Sequence, residues 1–520
     1  MKKFLWFVCL IMLTLTSSAQ YHNPIIPGFH PAPSICRVGD DFYLVNSSFQ
    51  YFPSVPIYHS KDLVNWKQIG NVLDRESQVP LKGANSWIGI FAPTIRYHDG
   101  LYYVVATNVG NGGNFLVTAT DPRGPWSEPV WLEQLGIDPS LWFENGKCYL
   151  VGNPDNTIML CEIDPKTGRQ LTPSKPLWQG MGMRFPEAPH IYKKDGWYYL
   201  LLSEGGTEIA HCMTIARSRN IYGPYEACPH NPILTHCNVR GQESQIQAVG
   251  HGDFVQAKDG SWWVVFLGHR HFGINYHHLG RETFLAPVEW ETGGWPVVND
   301  GEPIDTLMNG NPLGVAQHSQ KRHIRTDFDK PLIPEWVYIQ NPDSSKYQIR
   351  LGRLQLICSR GKLSKNDRPT FVGRRQESPN IVAETFLNFE EGLPRDEAGM
   401  TVYQTFDGHA DIFLRPMNEK TQVAVKYQLK NVESIMATAE IDGYSAYLRI
   451  RSDGVHYWFD YSEDGKLYKT LTSIDSSLLS SEVAGGFTGA VIGLYAVENN
   501  TSEAYGRSFA LFDYFDYREQ

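Results

Sequence analysis

At 520 residues the chain is too long for one ordinary domain, and 42% hydrophobic residues let it bury real cores. A net charge of −10 excludes the basic footprint that nucleic-acid binding requires. The 13% aromatic content suits strand-rich structure, and it suits sugar binding, where rings stack on apolar sugar faces.

Lys2 and Lys3 precede an apolar run over 4–15, and Ser17-Ser18-Ala19 offers small residues for cleavage before Gln20. This pattern predicts a signal peptide over 1–19 and an exported protein, periplasmic in a Gram-negative source. No later apolar run is long enough to span a bilayer. The seven remaining cysteines are scattered, with no C-x-x-C spacing and no zinc site in view. They read mostly as buried free thiols.

One signal then recurs five times: a turn followed by a dense aromatic and β-branched run. It appears at 40–45, 99–104, 145–150, 195–200 and 259–264, for example Asp195-Gly196-Trp197-Tyr198-Tyr199-Leu200. Each copy is a hairpin signal, and the spacing predicts one four-stranded propeller blade per copy. A second signal precedes each turn: Ala32-Pro-Ser-Ile, Ala92-Pro-Thr-Ile, Asp138-Pro-Ser-Leu, Glu187-Ala-Pro-His and His251-Gly-Asp-Phe. Innermost propeller strands border one central channel, so these segments converge on one small volume. Strand-start prolines alone would explain the prolines, but not why two of the positions are acidic and a third is histidine.

The repeat breaks near 305–325, where Met308-Asn-Gly-Asn-Pro-Leu-Gly and Lys321-Arg322-His323 read as a linker. Beyond it, alternating strands such as 422–429, 444–451, 456–461 and 509–517 predict an antiparallel β-sandwich. The expected organisation is therefore all-β, with a five-bladed propeller over 20–322 and a sandwich over 323–520.

At this point the segments themselves match a family. NPIIPGFHPAPSICRVGDDFYLVNSSFQYFP, FAPTIRYHDGLYYV, GIDPSLWFENGKCYL, FPEAPHIYKKDGWYYLLLSEGGT, VGHGDFVQ and LGRETFLAPVEW resemble glycoside hydrolase family 43 β-xylosidases and α-L-arabinofuranosidases. DFDKP…IQNP, PTFVGRRQ and GLYA are similar to the concanavalin-like sandwich that follows the propeller in many of them. The resemblance implies an inverting exo-glycosidase that takes a terminal pentose from hemicellulose oligosaccharides such as xyloglucan or arabinoxylan. One carboxylic acid protonates the leaving oxygen and an opposed carboxylate activates water. It implies Glu187 as the general acid with a raised pKa, and Asp138 as the carboxylate that orients it and keeps its pKa up. Arg281 is implied as a substrate ligand, and His251 as a central histidine beside a water or a structural calcium. Phe371, in Phe371-Val-Gly-Arg-Arg-Gln, is implied at the loop that narrows the pocket entrance. No cofactor is required by this chemistry.

The chain departs from the family at one decisive place. Ala32 stands where the resemblance implies the aspartate base, with Gln50 where many relatives have glutamate and Ala188 where many have glycine. General-base assistance is typically worth about 10²–10⁴ in rate. Three readings follow: a substitute base such as His30 or Glu243, a slow enzyme using unassisted water, or a carbohydrate-binding protein that has lost catalysis. Retention of Glu187 with Asp138 favours an enzyme, because a binder needs neither in that pairing.

Overall fold

The computed structural model describes residues 20–273, 275–310, 312–318, 321–417, 420–499 and 508–520; the expected signal peptide lies outside them. The repeated turns fold as hairpins of the kind their residues favour. Asp99-Gly100, Asn145-Gly146 and Asp195-Gly196 each place both central residues at positive φ, the type I′ geometry whose twist matches the flanking strands. Each joins an innermost strand to the second strand of its blade: Thr94–His98 to Leu101–Asn108, Ile137–Glu144 to Lys147–Asn153, and Glu187–Lys194 to Trp197–Glu204.

Among the described residues, five antiparallel sheets of four strands in sequence order follow one another along 34–298, the fourth carrying one extra short strand. They are the five blades. The stretch read as a linker instead helps to close the ring: Leu307–Asn309 pairs with Gln20–His22. Asn23 and Tyr21 then tie this N-terminal segment to Leu285 of blade five through side-chain hydrogen bonds of 2.9–3.0 Å.

At the centre lies a buried ionic knot. Asp253 on the innermost strand of blade five is 0% exposed. It accepts from Ser34 Oγ at 2.6 Å, Ile35 N at 3.1 Å, Arg96 at 2.8 and 3.2 Å, and Tyr192 OH at 2.6 Å. Arg96 also meets His190 Nδ1 at 2.9 Å. One carboxylate thus joins the innermost strands of blades one, two, four and five. Burial works against its charge, but Arg96, His190 and Ser34 hold it well below the usual carboxylate range.

The second domain is a concanavalin-like sandwich of a six-stranded and a nine-stranded sheet. Strand His323–Thr326 already belongs to it, paired with Phe515–Glu519. The run 509–517 is two strands, Phe509–Phe512 and Phe515–Glu519, interrupted at Asp513-Tyr514. All nine residues of Glu397–Thr405 are buried because both faces of its sheet are covered. Met400 and Val402 face the sandwich core, while Tyr403 joins Phe371, Phe413 and Tyr495 in a cluster with Phe29, Phe49 and Tyr51 of the propeller. Backbone pairing of Tyr338–Ile339 with Tyr51–Phe52 crosses the same interface. Six of the seven cysteines, Cys237 excepted, are buried, and all are free thiols. No helix among the described residues is long and apolar enough to cross a membrane.

Replacing Asp253 by Asn leaves Arg96 and His190 facing a neutral group. Breaking a buried pair from one side typically costs about 3–5 kcal/mol, so a urea or thermal melt of D253N at pH 7 should show a loss of that order. The depressed pKa makes this contribution present above about pH 4 and lost as pH falls below it, so the two proteins should converge in acid. A loss under about 1 kcal/mol at pH 7 would show that the knot is not what holds the blades together.

Candidate active site

Three of the converging segments contain the same local distortion. Ala32, Asp138 and Ala188 each precede a proline and share a φ of 50–52°. In blades three and four the ladder register slips at this point, between Ile137 and Ser140 and between Glu187 and His190. Such bulges re-aim side chains, and they cluster next to active sites. The conformational match also corrects the alignment drawn from sequence. The residue equivalent to Ala32 and Asp138 is Ala188, not Glu187, which lies one position earlier. A left-handed φ at Ala188 explains why glycine suits that position.

Asp138, Glu187 and His251 present ligand-type atoms that all lie within 4.8 Å of one another. Asp138 is braced by the Ala188 N–H, which donates to its Oδ2 at 3.3 Å. The segment before Glu187 is held by Asn153 Nδ2, which donates to the Pro186 carbonyl at 2.6 Å. His211, which the sequence reading missed, stands with Nε2 3.5 Å from Glu187 Oε1, and His251 Nδ1 lies 3.8 Å from the same oxygen. His211 Nδ1 donates to the Ala248 carbonyl at 3.0 Å, so the ring is fixed with Nε2 toward the acid.

Burial pushes Asp138 up to about 6; His251 draws it back, and the charge of Glu187 adds to the rise. Burial also penalises Glu187, but its contacts with His211 and His251 pull it below the usual carboxylate range. The raised carboxyl in the ligand-free protein is therefore Asp138, whereas the sequence led to the expectation of a raised Glu187. The histidines responsible come from other strands and have no local signature beside Glu187.

Arg281 is 8% exposed, its guanidinium carbon 5.4 Å from the centroid of Phe49 and 5.3 Å from that of Phe487, two rings that neighbour each other on one flank of it. Burial lowers it to about 10, and the charges of Glu187 and Asp138 oppose that shift. Arg281 lines a cavity of about 960 Å³ between the domains, with Trp87, Thr207 and Glu243 from the propeller and Glu482 and Phe487 from the sandwich. Glu187 lines a shallower cleft of about 510 Å³ with Asn108, Asn153 and Phe185.

Two expectations need correction. Phe371 is 0% exposed and packs on Tyr403, so it cannot touch a ligand; its strand is covered on both faces. The sandwich aromatic ring at the cavity is that of Phe487, set against Trp87 and Phe49 at ring distances of 5.0 and 5.7 Å. The signal for it was the glycine-rich run Gly485-Gly486-Phe487-Thr488-Gly489. His30 turns away from the site: its Nδ1 meets the Pro27 carbonyl at 2.9 Å, and it lines a separate cleft with Tyr58 and Arg322. Glu243 is exposed on the 3-10 turn Gly241–Glu243, at the rim of the larger cavity. Ala32 is 4% exposed in a small apolar cluster with Ala92 and Leu267.

The chain matches the family model of glycosyl hydrolases family 43 over residues 21–296. Residues 325–518 match that of the beta xylosidase C-terminal concanavalin A-like domain. It is 41% identical over 515 residues to a non-reducing end alpha-L-arabinofuranosidase of Bacteroides ovatus, covering 96% of this chain and 94% of the relative. It is 40% identical over 508 residues to a xylosidase/arabinosidase of Butyrivibrio fibrisolvens, covering 93% and 97%. Among solved structures, a Bacteroides ovatus protein described as xyloglucan PUL GH43B gives a TM-score of 0.91 at 40% identity, over 96% of this chain and all of the other. A xylan beta-1,4-xylosidase from Bacillus halodurans gives 0.88 at 32% identity, with coverage of 96% and 100%.

The raised Asp138 carries a stability cost that a substitution should reveal. A folded pKa near 6 against about 3.9 unfolded means that stability is lost as pH rises through about 6, by about 2–3 kcal/mol at pH 7. Asp138→Asn keeps an acceptor for the Ala188 N–H and removes the charge. D138N should therefore melt above the parent protein at pH 7, with the gap closing toward pH 4. An equal or lower melting point at pH 7 would contradict the raised pKa.

Proposed function

Because the chain belongs to glycosyl hydrolase family 43, we propose that it removes non-reducing-end α-L-arabinofuranose, or β-D-xylose, from hemicellulose oligosaccharides with inversion. We propose further that Glu187 is its proton donor and that catalysis is slowed by Ala32 at the position of the base. It is a glycosidase by family, and its substrates are oligosaccharides. The observation that carries the finer reading is the grouping of Asp138, Glu187 and His251 within 4.8 Å.

Glu187 lines its cleft with its side chain 18% exposed, while Asp138 is buried behind it. Two buried carboxylates this close titrate as a pair, and the pair retains one proton below about pH 6. Glu187 is the member that can deliver that proton to the leaving oxygen; Asp138 holds the reserve and sets its direction. Arg281 is placed to hydrogen-bond sugar hydroxyls, with the neighbouring rings of Phe487 and Phe49 packed beside it. Water attacking C1 from the opposite side loses its proton to solvent rather than to a carboxylate, since Ala32 offers none. The rate deficit is then about 10²–10⁴, the usual worth of a general base.

One observation favours a second reading, a protein that binds sugar without cleaving it. The surroundings of Ala32 are apolar, made with Ala92 and Leu267, and offer no group to activate water. Export to the periplasm belongs to this proposal, resting on residues 1–19. A calcium at the centre fits poorly: calcium takes six to eight oxygens, whereas the groups beside His251 are two carboxylates, one with a raised pKa. No step passes through such an ion.

Ala32→Asp should raise kcat on an aryl arabinofuranoside or aryl xyloside by up to about 10²–10⁴ with little change in sugar affinity. In that variant kcat/KM should fall as pH rises through about 6, where the carboxylate pair loses its proton. Glu187→Gln should abolish turnover of substrates with poor leaving groups. No gain in A32D on either substrate, with arabinose or xylose binding intact, would leave the binding reading standing.

A further inference from the structure

Blade five carries a histidine cluster that the glycosidase chemistry does not use. His269 ends the strand Trp262–Arg270, His271 follows it, and His277 returns on the far side of the turn closed by Phe272 N and the Tyr276 carbonyl at 2.8 Å. One ligand-type nitrogen from each lies within 4.8 Å of the others. His269 Nδ1 and His271 Nε2 are 3.2 Å apart. Two nitrogens bound to one tetrahedral zinc at about 2.0–2.1 Å would be separated by about 3.3 Å, so this pair already has ligand spacing.

The outer contacts have the pattern of a metal site as well. His277 Nδ1 donates to Glu482 Oε1 at 2.5 Å, which fixes the orientation of the ring. Metal-bound histidines characteristically donate their second N–H to a carboxylate in this way. His269 has no hydrogen-bond partner outside the cluster: Nδ1 faces His271 and its buried Nε2 has none. The rings of His269 and His277 are stacked at 3.9 Å. All three line the large inter-domain cavity, which gives an ion a way in and leaves a coordination position facing the space.

We infer that His269, His271 and His277 form a binding site for a divalent transition-metal ion of the zinc class, with Glu482 of the sandwich as its supporting carboxylate. Three imidazoles select such an ion over calcium or magnesium, which prefer oxygen. Closing the remaining gap takes side-chain rotation, which the partly exposed His271 and the open cavity allow. Since Glu482 comes from the helical turn Ser481–Ala484 just before Phe487, a bound ion would pin that turn of the sandwich to blade five at the mouth of the cavity. The inference concerns binding and does not depend on the catalytic reading.

The test uses the full mature chain, stripped with a chelator and titrated with zinc by calorimetry and with cobalt by visible absorption. The expected result is one zinc per chain with a Kd of about 10 μM or tighter, and cobalt bands of a four-coordinate site. H269A and H271A should each weaken zinc by at least about tenfold, and E482Q by about 10–100-fold. Zinc should also raise the melting temperature of the parent protein but not of the H269A/H271A double variant. His251→Ala separates this site from the carboxylate pair and should leave zinc affinity unaltered. A Kd weaker than about 1 mM, zinc binding that survives the double variant, or binding abolished by H251A alone would overturn the assignment.

Discussion

Asp253 is the constraint from which the site follows. Its carboxylate is wholly buried and satisfied only by groups on other blades: Ser34 and Ile35, Arg96 and Tyr192. A charge in that position is tolerable only when every partner is in register. The knot therefore fixes how innermost strands of different blades stand relative to one another. That relative placement brings Asp138, Glu187 and His251, far apart in sequence, within 4.8 Å. A ring held only by apolar contact between blades would tolerate small slips. A hydrogen-bonded carboxylate at its axis does not.

Onto this frame the chain adds a repeated backbone distortion. Left-handed residues before proline at Ala32, Asp138 and Ala188 turn three innermost strands at matching heights. The φ at Ala32 matches that at Asp138, but the side chain there is a methyl group, packed with Ala92 and Leu267.

Much of this was legible in the sequence. Three of the five hairpin turns follow directly from local chemistry, since Asp-Gly and Asn-Gly favour paired positive φ values whatever surrounds them. The alternating strands of the sandwich were legible for the same reason. What could not be read depends on packing between segments distant in the chain. Leu307–Asn309 looked like a linker because its partner, Gln20–His22, lies almost three hundred residues away. Resemblance alone places Phe371 at the pocket entrance, and only the packing shows its strand covered on both faces. His211 and Phe487 reach the site from a neighbouring blade and from the other domain. The histidines of blade five were visible as His-Arg-His and His-His, but nothing local showed that His277 returns beside His269.

The sandwich supplies the cavity with Phe487 and Glu482, and it shields Phe29, Phe49 and Tyr51 with the outer face of its six-stranded sheet. Neither domain then presents a finished surface by itself. Modules joined by a flexible tether can be exchanged between genes, each keeping its own activity. Here a recombination event that parted the two would leave one fragment with an exposed aromatic face and the other with half a pocket. The boundary between the two domains is therefore not a place where the chain can be cut without cost.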